Sequence, residues 1–186
     1  TNNDILRRLR YTFDLSDSKM IDIFGLSEHE VTRAQISDWL KKEDDPAYQA
    51  CTDNQLAIFL NGFINEKRGK KEGDQPEAEK RLTNNIIFRK LKIALDLPAE
   101  AILEIMNLAD FTISKHELSA FFRKPGHKHY RECKEQILRK FLKGVQLQYR
   151  DSNKSKADDV WQSKQKSASK PKPKLKQKPK LSLSKK

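Results

Sequence analysis

Eighty-two residues separate two versions of one phrase: "TNNDILRRLR" at the start of the chain and "TNNIIFRKLK" from Thr83. Residues 1–64 lie on residues 83–146 at this fixed offset without a gap. Tyr48 and Cys51 meet Tyr130 and Cys133, and Leu56, Phe59, Leu60 and Gly62 meet Leu138, Phe141, Leu142 and Gly144. A gapless match of this length identifies a tandem duplication of one folding unit.

The duplication acts as an internal filter, because a core position stays apolar in both copies. Such pairs are Ile5/Ile87, Leu9/Leu91, Phe13/Leu95, Ile23/Ile105, Leu26/Leu108, Val31/Ile113, Ile36/Leu118, Trp39/Phe121, Leu40/Phe122 and Phe59/Phe141. Their spacings of three and four are those of helices burying one face, and no stretch alternates long enough for a strand. Each unit reads as four helices. The first covers about Asn3 to Asp14, and the second about Asp17 to Phe24. The third opens on a capping box, Thr32 with Gln35 or Ser114 with Glu117. The fourth starts near Asp53 or Arg131 and runs through Gly62 or Gly144. A glycine inside a helix costs about 1 kcal/mol against alanine. Its presence at one place in both copies predicts a close helix–helix approach.

The expected organisation is all-α: a first helical repeat over 1–65, a charged linker over 66–82, a second repeat over 83–150, and a disordered Lys/Pro/Ser-rich tail over 151–186. The tail carries most of the formal charge of +12, since residues 151–186 hold twelve Lys and three Asp. Such a composition buries too little apolar surface to offset ordering. Lys alternates with Pro in "KPKPKLK", which predicts an extended segment of roughly 75 Å over its last twenty-five residues. Trp161 stands out there, as a short recognition element or a patch that folds back. No apolar run approaches the ~20 residues of a membrane span. The absence of a signal-type apolar stretch and the two unpaired-looking cysteines place the chain in the cytoplasm as an expectation.

The duplicated "TNNDILRRLRY" and "NNIIFRKLKIAL", with "LNGFINEKRGK" and the paired Tyr-x-x-Cys, closely resemble the YehS-like bacterial family, a domain of unknown function present in two copies. The resemblance covers about residues 1–148 and leaves the Lys-rich tail outside. It implies the duplicated fold and transfers no activity, cofactor or catalytic residue.

Reaction chemistry finds little footing in the residues. Hydrolase, phosphate-loop, zinc-protease and dinucleotide motifs are missing, so no catalytic residue and no cofactor are assigned. His127, His129 and Cys133 resemble zinc ligands in type, but a fourth ligand is lacking and the first copy offers Asp45, Ala47 and Cys51 instead; no metal site is assigned. Cys51 and Cys133 fit core positions better than nucleophiles. "SEHEVTRAQISDWLKK" has the outline of a helix-turn-helix, yet any compact helical repeat contains such a corner.

Charge separates the copies. Residues 1–64 carry seven basic and eleven acidic side chains, net −4; residues 83–146 carry twelve and seven, net +5. The sharpest contrast sets "EDDPAYQACTD" against "PGHKHYRECKE". The asymmetry fits an acidic half docking a basic half, within or between chains, equally as well as a cationic flank for phosphate backbone. The expected flank is Arg89, Lys90, Lys92, Lys115, Arg123, Lys124, Lys128, Tyr130 and Arg131, extended by Lys170, Lys172, Lys174, Lys176, Lys178 and Lys180. Lysine supplies point charge without the planar fork that reads guanine, so contact without sequence preference follows. The leading expectation is a non-enzymatic nucleic-acid-associated protein, with RNA or ribonucleoprotein ahead of DNA because Phe121, Phe122 and Tyr130 neighbour the cations. An acidic protein is the alternative polyanion. The alternative function is an interaction adaptor working through the cleft between repeats, with an enzyme third. Residue pattern alone leaves the oligomeric state open.

Overall fold

The structure, a computed structural model, describes residues 1–168. Among them every regular element is helical: α1 Asn2–Phe13, α2 Asp17–Gly25, α3 Arg33–Leu40, α4 Asp53–Arg68, α5 Asn84–Ala94, α6 Ala99–Leu108, α7 Lys115–Phe121, α8 Glu135–Gln146, a π-helical turn Leu147–Asp151, and α9 Ser152–Ala168. Residues 1–152 form one compact unit, and Asn153 begins a second.

Capping chemistry sets most helix starts. Thr32 and Gln35 bond reciprocally at the head of α3, as do Ser114 and Glu117 at the head of α7. Thr52 and Gln55 repeat the device on α4. In the second copy Lys134 replaces Thr52, and α8 opens without a side-chain cap. It opens at Glu135, four residues beyond the expected Arg131, because Arg131 and Cys133 are drawn into backbone bonding with Ala120 and Asn85. Asp14 and Asp96 end α1 and α5 in the left-handed region, with φ of 51° at both.

Behind the repeated "TNN" lies a buried bracket. Asn3 donates to the carbonyls of Trp39 and Gln49, and its side-chain oxygen accepts from the N–H of Cys51. Asn85 does the same with Phe121, Arg131 and Cys133. Asn2 and Asn84 add bonds to the carbonyls of Cys51 and Cys133. One side chain near the start of each first helix thus fixes the end of the third helix and the irregular approach to the fourth. Buried backbone groups that sit outside regular structure need such partners.

The glycine expectation holds in atomic detail. A Cβ on Gly62 would lie 1.9 Å from the carbonyl oxygen of Ile23, and one on Gly144 2.1 Å from that of Ile105. Thus α4 crosses α2, and α8 crosses α6, at backbone contact. The expected core pairs are largely buried, with Ile23, Ile36, Phe59 and Phe141 fully so. Leu108 is the exception at 46% exposed: it ends α6 where the chain turns outward, whereas Leu26 is half-buried.

The repeats join twice, in exchanged fashion. The fourth helix of the first copy, α4, packs along α5, the first helix of the second. The fourth helix of the second copy, α8, and the π-helical turn pack on α1. Tyr149 sets its ring 5.5 Å from that of Phe13, and Arg150 lies 3.9 Å over the Tyr11 ring and donates to the Tyr11 carbonyl. The arrangement approximates a twofold relation within one chain.

Two boundaries differ from expectation. Helix α4 continues to Arg68, so the linker proper is 69–82, and its second half packs against the helices. At the other end regular structure runs further than composition predicts, since Ser152–Ala168 are helical. That stretch lacks Gly and Pro and is rich in residues a helix tolerates. Residues 169–186, including Lys170, Lys172, Lys174, Lys176, Lys178 and Lys180, lie outside the described residues.

Candidate nucleic-acid interface and inter-repeat groove

The predicted cationic flank divides into three groups. Arg89 is committed to structure: its guanidinium donates to the Phe122 carbonyl at 2.8 Å, closing the end of α7. Arg7 does the same for α3 through the Lys41 carbonyl at 2.6 Å. Lys90 is buried, with 9% exposure, and is removed from the expected interface. Its ammonium lies 2.5 Å from Asn61 Oδ1 and 3.0 Å from Glu79 Oε2. A helical wheel of α5 alone points this lysine outward, but α4 and the linker cover that side.

Lys92 and Lys115 form the second group, exposed in part and already engaged. Lys92 sits 5.6 Å from the Phe122 ring centroid, and Lys115 pairs with Glu100 at 2.5 Å. That lysine also holds the Glu100 carboxyl below its ordinary range. With Arg123 and Ser119 they surround a surface cavity of about 400 Å³ beside Phe122. An ion pair this exposed contributes little stability and opens readily to a competing phosphate.

Arg123, Lys124, Lys128 and Arg131 make the third group. All four are exposed, and none of their side chains forms an ion pair or hydrogen bond among the described residues. They sit on the loop after α7, shaped by Gly126 in the left-handed region and by turns closed from His127 to Lys124 and from Tyr130 to His127. The loop holds no acid from Arg123 to Arg131, whereas the first copy puts Glu43, Asp44 and Asp45 in the matching stretch.

The aromatic neighbours differ from the sequence-based picture. Phe121 is core, and Phe122 is half-buried in an edge-to-face contact with Phe88, ring centroids 5.1 Å apart, so neither offers an open stacking face. Tyr130 is half-buried on the loop itself. Its counterpart Tyr48 donates its hydroxyl to Asn3 at 3.1 Å, a bond Tyr130 does not make to Asn85.

Burial pushes the thiols of Cys51 and Cys133 up to about 12. Thiolate is the nucleophilic form, so these cysteines are inert core groups at neutral pH. His127 and His129 lie 5.6 Å apart by ring centroids, but among the described residues no three His, Cys, Asp or Glu side chains group as metal ligands. Among those residues, too, no helix is long and apolar enough to cross a membrane.

A second feature is the cleft between repeats. Between α1 and α8 runs an open groove of about 770 Å³, floored by Ile5, Ile87, Leu138 and Leu142 and edged by Arg8, Glu135 and Arg139. At the matching seam between α4 and α5 the linker lies instead. Asn54 donates to the carbonyls of Ala78 and Glu79, Asn61 to that of Pro76, and Asn65 to the Gln75 side chain. Asp53 accepts from the Leu82 N–H at 3.0 Å. Most of these bonds engage linker backbone, which is why composition gave no sign of them.

Comparison with known proteins agrees with this anatomy. A family model described as a protein of unknown function (DUF1456) matches twice, over residues 2–69 and 84–151, leaving out the linker and ending before α9. The chain is 44% identical over 145 residues to the "Uncharacterized protein YehS" of Escherichia coli (strain K12), spanning 77% of this chain and 93% of that protein. No solved structure matches. With two matches that account for both repeats, the chain belongs to the DUF1456 family, whose duplicated unit is the four-helix repeat described above.

Proposed function

We propose that this chain is a non-enzymatic, cytoplasmic nucleic-acid-associated protein that grips phosphate backbone through its second repeat, RNA ahead of DNA. One observation carries the reading: Arg123, Lys124, Lys128 and Arg131 share one exposed loop with no acid between Arg123 and Arg131, and form no ion pair among the described residues. Cations without an ion pair have none to break on meeting phosphate, and counterion release favours the contact. The cavity beside Phe122 adds Lys92 and Lys115, whose pairing with Glu100 yields to a stronger anion. Tyr130, with its hydroxyl unbonded to Asn85, is the aromatic placed to stack on an unpaired base, which favours single-stranded RNA. The lysines from 170 to 180 extend the same charge.

The test is binding of a labelled single-stranded RNA to the full chain between 50 and 200 mM salt. Affinity falls steeply with salt for the native chain. Reversing all four loop cations to Glu makes the log–log slope shallower by about 3, at ~0.7 for each phosphate no longer neutralised. Deleting residues 162–186 makes it shallower again. Binding that ignores both changes, or RNA recovered with neither form after crosslinking in cells, removes the proposal.

A further inference from the structure

The two seams between repeats are related by exchange of copies, yet among the described residues one is filled and the other is bare. In the filled seam residues 75–82 run extended and antiparallel to α4, from Asn65 back to Asp53. Twelve helical positions cover about 18 Å, within the ~26 Å reach of eight extended residues. Three groups define how that segment is held: the amide of Asn54 on two carbonyls, the carboxylate of Asp53 on a backbone N–H, and the Lys90 ammonium on the Glu79 carboxylate.

Shifted by the repeat offset, these positions become Gln136, Glu135 and Arg8. An amide, a carboxylate and a cation therefore recur in the same order along the bare seam. Arg8 and Glu135 line the open groove, and its apolar floor includes Leu138 and Leu142, the counterparts of the buried Leu56 and Leu60. Arg8 is half-buried and, unlike Lys90, has no ion pair or hydrogen bond among the described residues. Ala57 is fully buried in the first copy, while its counterpart Arg139 is exposed and pairs with Glu135 at 2.7 Å, an exposed ion pair that a peptide carboxylate can open.

We propose that the groove between α1 and α8 is a docking site for an extended acidic peptide segment of a partner protein. It binds antiparallel to α8, as the linker binds α4, with a carboxylate side chain seated on Arg8. Main-chain bonds to Gln136 and Glu135 supply register, and the carboxylate supplies selection, as in other modes that capture an extended peptide. The Lys-rich end of the chain has the wrong charge for Arg8 and Arg139. The linker of a second copy is already engaged in its own seam.

The probe is a displayed library of octapeptides with Glu fixed at the fifth position, the place Glu79 takes in residues 75–82, selected against the full chain. A parallel library fixes Lys there. The proposal expects binders from the Glu library that weaken about tenfold or more on Arg8→Glu and less on Arg8→Lys. Arg139→Glu weakens them independently, and changing the fixed Glu to Lys restores binding to Arg8→Glu. Unchanged melting curves show that both variants remain folded. Equal yields from the two libraries, or binders indifferent to Arg8 and Arg139, overturn the proposal. So does a homodimer that Arg8→Glu dissociates, or a peptide of residues 169–186 that outcompetes the selected binders.

Discussion

The side-chain oxygen of Asn85 accepts a hydrogen bond from the backbone N–H of Cys133 at 2.9 Å, and the amide of the same side chain reaches the carbonyls of Phe121 and Arg131. Replacing Asn85 by Leu strands one N–H and two carbonyls in the interior. At ~1–3 kcal/mol for each orphaned group, partly relieved by water, the loss is about 3 kcal/mol. Urea unfolding measures it, and Asn3→Leu loses a similar amount.

Gly62→Ala and Gly144→Ala each force a methyl group into a carbonyl oxygen, so α4 or α8 must lift from its neighbour. About 2–3 kcal/mol is the expected cost, typical of overpacking. Gly25 has nothing within 4 Å of its would-be Cβ, and Gly25→Ala changes stability by less than ~1 kcal/mol. Thermal melts of the three variants make the comparison.

Lys90 separates folding from binding. Lys90→Met leaves Glu79 and Asn61 without their cation and costs about 2 kcal/mol, the scale of a charged hydrogen bond removed from the interior. RNA affinity measured below the melting transition stays the same. Arg123→Glu gives the reverse pattern: a near-native melt and weaker RNA binding.

The cysteines predict how stability changes in alkali. Each thiol ordinarily titrates near 9 and is raised to about 12 in the fold by burial, with Asp53 adding to the rise at Cys51. Below pH 9 both folded and unfolded chains keep the protons, and the thiols contribute no pH dependence. Between 9 and 12 the unfolded chain releases them first, so stability falls as pH rises. Cys51→Ala with Cys133→Ala flattens that limb in unfolding titrations from pH 8 to 11. At pH 8 a thiol reagent labels the native chain far more slowly than the chain in urea.

Much of this is legible because the chain repeats itself. Paired Gly62 and Gly144 announce the helix crossings, and Thr32 with Gln35 announces a helix start. Lys90 misleads because a wheel describes one helix against one neighbour, whereas α5 has two: its own unit and α4 of the other. Asn3 looks like capping polarity at a helix head, and its work lies in three backbone groups some 36 to 48 residues away. Arg8 resembles any surface arginine until the filled seam gives it a counterpart. The linker looks merely solvated, since helices recognise its main chain and its letters carry little of that. The fold is accessible through periodicity, while the candidate sites depend on which helix faces stay uncovered once both copies meet.

The return of Tyr149 and Arg150 onto α1 also limits copy number. In an open stack every added unit presents a fresh end for the next, and arrays can lengthen indefinitely. Here the last unit spends its end on the first, so a third module fused behind Asp151 would have nowhere to dock. One module alone would leave both mating faces wet and would recover them by pairing with its twin.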